Sequence, residues 1–356
     1  MRLILVLPCV ALTFLCWGNY GPLMHEGQNG MGGSLLRPFI CVGMAYFIVA
    51  VLIPILVLRT KGESGHWTIG GFVWSIIAGS AGAVGALGIV MAFSYKGNPL
   101  YVMPLVFGCA PVVNTLVTMS MTKTFRDVSP VFIAGILIVA IGAAGVLYFQ
   151  PRPAKTAVEH DNEKVESKEG KEPSKPAIVK KEKAPQYPLI LASIALTALC
   201  WGSYGPLLHK GQMKMAGSRL RPLLCVGLAY FGIAVVVPGV ILVNDIFWIE
   251  PGNWNWTGGL WSLGAGAAGA IGALGIIMAF NFGGKPIFVM PLVFGCAPVV
   301  NTFTAIVSKG THLADIKLPF VCALGMVIIG AMIVLVFSPK PKPKGKSDPP
   351  PPKPEV

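Results

Sequence analysis

The residues best suited to bind something in this chain come in pairs. Cys16 to Gln28 reads CWGNYGPLMHEGQ, and Cys200 to Gln212 reads CWGSYGPLLHKGQ. Each segment sets the polar edges of an indole and a phenol (Trp17 and Tyr20, Trp201 and Tyr204) beside a small polar side chain, Asn19 or Ser203, at the end of an apolar run. Gly21 and Pro22 follow in the first copy, Gly205 and Pro206 in the second. Glycine and proline weaken a helix and free its backbone groups. The chemistry such residues offer is hydrogen bonding to a solute, not bond making. A plain helix end, with Trp and Tyr in an interfacial aromatic belt, accounts for the same residues. His25 and His209 come next; they could sense pH or relay protons. With no acidic partner in the apolar runs, an interfacial hydrogen-bonding role is the preferred reading.

A second pair is sharper still. Met103 to Thr115 and Met290 to Thr302 both read MPLVFGCAPVVNT. Pro104 and Pro111, like Pro291 and Pro298, are expected to kink a helix or serve as gating points. Gly108 and Ala110 allow close backbone approach. Asn114 and Asn301 place an amide where an unpartnered polar group is costly, so both are expected to face the bundle interior. They could bond each other across the halves or bind a solute, and the shared helix of prolines and amide favours the second. Tyr46 and Tyr230 are further candidates for a pocket, although a hydroxyl bonded to nearby backbone fits equally. Arg37 and Arg221, at the start of the same segments, read as snorkelling anchors.

These residues need elements to hold them, and composition says what kind. The 356-residue chain is 54% hydrophobic and only 12% charged, against about 25% charged in soluble domains. Its apolar stretches run about 20 residues, the length that spans a hydrocarbon core. We read five in the first half, near 3–23, 38–58, 69–93, 100–121 and 130–149, and five in the second, near 188–208, 222–243, 258–280, 287–307 and 318–337. Segments so uniformly apolar must be helices, since lipid leaves backbone groups no other partner. The third of each set is rich in small residues, AGSAGAVGALG from Ala78 and AGAAGAIGALG from Ala265, a pattern that lets helices pack tightly.

The net charge of +13 does not indicate nucleic acid, because the basic residues lie in short loops, a central linker and the tail rather than on one face. The eight cysteines fall mostly within apolar runs and lack metal-site spacing. No nucleophile, acid or metal-ligand cluster suggests an enzyme, and no cofactor or metal is expected.

The chain is one unit twice. Besides the two blocks above, RPFICVGMAYF from Arg37 pairs with RPLLCVGLAYF from Arg221, and GALGIVMAF from Gly85 with GALGIIMAF from Gly272. The expected fold class is an all-α polytopic membrane protein of ten transmembrane helices, arranged as an inverted 5+5 structural repeat. Five crossings per unit leave the second unit upside down, an architecture common among secondary transporters. The repeat spans 1–150 and 187–339; a charged linker at 151–186 and a Lys/Pro-rich tail at 340–356 are expected to be disordered. The N-terminus resembles a signal peptide, but Leu189 to Gly202 repeats the element in mid-chain, so a retained helix is expected. Short-loop charge puts both termini in the cytoplasm.

This layout, with Trp17-Gly18 and Trp201-Gly202 at matching positions, resembles the drug/metabolite transporter superfamily, particularly its EamA-like and glucose/ribose porter-type members. The resemblance covers nearly the whole chain outside linker and tail. It implies alternating access around a central cavity lined mainly by the first, third and fourth helices of each half. It also implies a cell (inner) membrane location and a small-molecule substrate such as a sugar, nucleobase or amino acid. The expected partners are that solute and the bilayer, with a homodimer left open. Since no apolar run carries Asp or Glu, an uncharged solute is favoured. A channel is the nearest competing function, and a membrane-embedded scaffold or enzyme a more distant one.

Overall fold

The computed structural model describes residues 5–149, 184–244, 250–282, 286–308 and 316–339. The 340–356 tail and nearly all of the 151–186 linker lie outside the described residues. Regular structure among the described residues is helical: α1 (Val6–Gly30), α2 (Leu36–Thr60), α3 (Ile69–Ser94), α4 (Pro99–Thr122), α5 (Pro130–Phe149), α6 (Tyr187–Lys214), α7 (Leu220–Val243), α8 (Trp256–Asn281), α9 (Pro286–Ser308) and α10 (Leu318–Val336). Nine of these are long and apolar enough to cross a membrane; in α9 the apolar stretch among the described residues is the shorter Leu292–Ser308. The chain is a polytopic α-helical membrane protein.

Two elements run further than their sequence suggested. Neither α1 nor α6 stops or breaks at the WG(N/S)YGP motif: α1 continues through Pro22 to Gly30, and α6 through Pro206 to Lys214. Helix also persists through Pro104, Pro111, Pro291 and Pro298. The reason is the surroundings. A proline forfeits one backbone bond, but in a water-poor interior breaking the helix would strand several more groups. The longer α1 takes in Glu26, half-buried about one turn from its end. The expectation that no span carries an acid is therefore corrected. At about 37 Å, a helix of 25 residues outreaches the roughly 30 Å hydrocarbon core, which leaves room for Glu26 at a polar boundary.

The second helix of each half contains a π-helical turn, Ile48–Leu52 in α2 and Gly232–Val236 in α7. Pro54 and Pro238 follow close behind. A widened turn relieves the clash between a proline ring and the carbonyl four residues earlier. Each π turn also faces a glycine of the other half: Gly43 packs on Ala234, and Gly227 on Ala50.

Packing crosses between the halves. Helix α1 lies along α8, and α6 lies along α3, through the small-residue stripes. A Cβ at Gly85 would overlap the Trp201 ring, and one at Gly272 the Trp17 ring. The other residue of each WG dipeptide meets a different helix. A Cβ at Gly18 would stand 2.5 Å from the Val300 Cβ of α9, and one at Gly202 the same 2.5 Å from the Val113 Cβ of α4. Tryptophan and glycine are thus required side by side, one to fill a groove and one to leave room.

Two matching clasps hold the ends of the bundle. Before α2, the Glu250 carboxylate pairs with Arg37 at 2.8 Å and accepts from Ser34 Oγ and from the backbone N–H groups of Leu35 and Leu36. Before α7, the Glu63 carboxylate stands 3.7 Å from Arg221 and accepts from Ser218 Oγ and the N–H groups of Arg219 and Leu220. Both arginines are consequently ion-paired, not the free snorkelling anchors their position suggested. An acid at a helix start satisfies orphan donors and the helix dipole together. Helix α2, of 25 residues, runs from one clasp toward the other, so the two are separated by about 37 Å.

Candidate functional site

At the centre of the bundle lies a cavity of about 140 Å³. Eight aromatic side chains line it: Trp17, Tyr20, Tyr46 and Phe107 from the first half, Trp201, Tyr204, Tyr230 and Phe294 from the second. The rings run in sequence around it. Trp17 is 6.5 Å from Phe294, Phe294 is 6.3 Å from Phe107, Phe107 is 6.4 Å from Trp201, and Trp201 meets Tyr20 edge-on at 5.8 Å. Such tilted and edge contacts suit ring quadrupoles.

Each indole is oriented by its polar edge. Trp17 Nε1 donates to the Gly269 carbonyl at 3.2 Å, and Trp201 Nε1 to the Gly82 carbonyl at 3.1 Å. One turn earlier, Thr13 Oγ1 donates to Gly272 O and Thr197 Oγ1 to Gly85 O. Gly85 and Gly272 leave space for the indoles, and Gly88 and Gly275 for the threonine hydroxyls, so that the donors reach backbone carbonyls. The Trp17 and Trp201 N–H groups are therefore committed to the other half of the protein, leaving ring surface for the cavity.

Of the residues predicted from sequence to bind a solute, Trp17, Tyr20, Tyr46, Asn114, Trp201, Tyr204 and Tyr230 line the cavity, together with His209 and Gly205. Asn19, Ser203 and Asn301 do not line it. Asn19 Nδ2 donates to Leu15 O, its Oδ1 accepts from Thr304 Oγ1 at 2.8 Å, and Ser203 Oγ donates to Leu199 O. His25 packs edge-on against Phe93 at 5.1 Å. Pro22, Pro104, Pro111, Pro206 and Pro298 are absent from the wall too, although Pro111 and Pro298 remove the helical donors that the carbonyls of cavity-lining Phe107 and Phe294 would otherwise meet. The side chain of Pro291 lies outside the described residues. Phe107, Phe294 and Gln212 were not foreseen as lining residues; the only hint was their place inside the repeated blocks. The second helices contribute as well, through Tyr46 and Tyr230, so the wall is wider than the first, third and fourth helices alone.

Equivalent residues of the two halves stand in different surroundings. Asn301 is fully buried and donates to Pro99 O at 2.9 Å, whereas Asn114 faces the cavity. The two amides do not serve as one another's partner. Gln28 is buried and donates to Ser94 Oγ at 2.6 Å and to Val90 O at 3.3 Å, whereas Gln212 faces the cavity. His209 is exposed on the cavity wall while His25 is not on it. Pro99 and Asn114 are 15 positions apart on α4, about 22 Å along its axis. The locked amide and the cavity amide therefore mark different levels of the bundle. The cavity extends toward the end that carries Glu63, since His209 and Gln212 lie in the last turns of α6, just before Ser218.

In comparisons with known proteins, no family model and no curated protein matches this chain.

Proposed function

We propose that this protein is a secondary transporter that moves a small, uncharged polar metabolite across the cell membrane by alternating access of two inverted five-helix halves. The observation that carries this reading is the unequal state of equivalent residues. Asn301 and Gln28 seal one end with buried hydrogen bonds, while Asn114 and Gln212 stand open to a cavity at the other. A repeat whose copies exchange these two states would carry a site from one face to the other, as inverted repeats do in transporters. With both termini cytoplasmic, the Asn114 end opens inward and the Asn301 end faces outside. In this reading the chain is a member of the drug/metabolite transporter superfamily, which its layout of apolar helices and its paired WG motifs support.

The test is counterflow in liposomes. A carrier accelerates uptake of labelled solute when unlabelled solute is preloaded on the far side, and it saturates. Flux that rises linearly with concentration and shows no such acceleration would replace the carrier with a channel.

A further inference from the structure

Resting on the transporter reading, we infer that the solute is a flat, single-ring, uncharged heteroaromatic molecule with an amide-like edge, chemically a pyrimidine-type base. Size sets the first limit. The cavity holds about 140 Å³, close to the roughly 150 Å³ apolar cavity that accommodates a benzene ring. A single six-membered ring fits that space, whereas a fused bicyclic base has to reach beyond it toward the open end.

Wall chemistry sets the second limit. With their N–H groups turned to glycine carbonyls, Trp17 and Trp201 give the centre ring surface rather than donors. A planar ring gains from offset or edge contact with such walls. A hexose presents five hydroxyls, and each one buried without a partner costs about 1–3 kcal/mol. Ring faces supply no such partners, so a hexose depends wholly on the polar side chains of the wall. A cation would find ring faces but no carboxylate among the lining residues to pair with it.

The wall carries several polar side chains, His209, Gln212 and four tyrosines among them; Tyr20 and Asn114 are the two that bear on the ring's edge. The Tyr20 hydroxyl is buried and has no hydrogen-bond partner, on a side chain only 4% exposed that lines the cavity. Such a group needs a ligand or water to satisfy it. Asn114 offers a donor and an acceptor side by side, the complement of a lactam N–H and C=O. A carboxamide reads bases by this bidentate pairing elsewhere.

Uracil is the probe, measured by equilibrium dialysis on the purified full chain and by counterflow in liposomes, beside adenine and glucose. The expected result is saturable uracil binding and exchange, with adenine and glucose at least tenfold weaker. Tyr20→Phe, which removes only the hydroxyl, and Asn114→Leu, which keeps the shape, should each weaken uracil binding about tenfold, with melting temperatures recorded to confirm folding. Saturable exchange of adenine or glucose without uracil would overturn the pyrimidine assignment and leave the carrier intact. Uracil that binds but shows no counterflow would support the site and sink the carrier. Absence of uracil binding to the folded wild-type chain would overturn the inference.

Discussion

Tyr46 and Tyr230 lie face to face, their ring centroids 3.7 Å apart and their planes within 3° of parallel. They occupy equivalent positions in the repeated sequence, each two residues ahead of a π-helical turn. Their contact joins the two halves, and it forms part of the cavity wall. Replacing Tyr46 with alanine should cost about 3 kcal/mol, the usual scale for deleting a buried aromatic ring. Tyr46→Phe keeps the stack and should cost no more than about 1.5 kcal/mol, the scale of one hydrogen bond. Equilibrium unfolding in detergent micelles checks both; equal losses from the two variants would show that the stack itself contributes nothing.

The two clasps should differ in strength although their sequences match. The Arg37–Glu250 pair is 2.8 Å, and the Arg221–Glu63 pair 3.7 Å. All four side chains are at most 16% exposed. Glu250→Gln should cost about 2–3 kcal/mol, as expected for losing charged hydrogen bonds in a shielded site, and Glu63→Gln less. Melting temperatures of the two variants in one detergent provide the comparison, and the reverse order would refute it.

Gly85→Ala and Gly272→Ala should each destabilise the fold by about 1–3 kcal/mol, the range for overpacking. The added methyl is driven into Trp201 or Trp17. Combining Gly85→Ala with Trp201→Phe should cost less than the sum of the single changes, because the smaller ring makes room. A double-mutant cycle read by thermal unfolding tests this; strict additivity would place the strain elsewhere.

The sealed end should loosen when its buried amide is removed. Asn301→Ala deletes the bond to Pro99 O, and Thr304→Val deletes the one to Asn19. Hydrogen–deuterium exchange should rise in the peptide around Pro99–Met103 for Asn301→Ala, with little change around Asn114. The alanine variant at Asn114 has no such bond to lose and should leave that exchange unaltered. Equal protection at Pro99–Met103 in wild type and Asn301→Ala would mean that the bond does not hold this end shut.

Much of the helical scaffold was legible because apolar length and the lack of backbone partners in lipid leave few alternatives. Helix ends were less legible. Pro22 and Pro206 looked like stops, yet the surrounding protein keeps α1 and α6 intact past them. The aromatic part of the site could be picked out from motifs, since Trp and Tyr stood in doubled segments. What a single chain could not reveal was the difference between its copies. Asn114 and Asn301 sit in identical 13-residue blocks, Met103 to Thr115 and Met290 to Thr302, and only tertiary contacts make one a lock and the other a cavity group. The clasps escaped notice for another reason. Glu63 and Glu250 lie in loops, far in sequence from the arginines they meet.

The crossing of α1 onto α8 and of α6 onto α3 bears on how the protein must be made. A five-helix half alone would carry a vacant glycine groove on its third helix and a tryptophan with no carbonyl to receive its N–H. Neither half closes its own interior. Each copy of the repeat thus completes the other's interior, and the covalent link between the copies supplies the two in a one-to-one ratio.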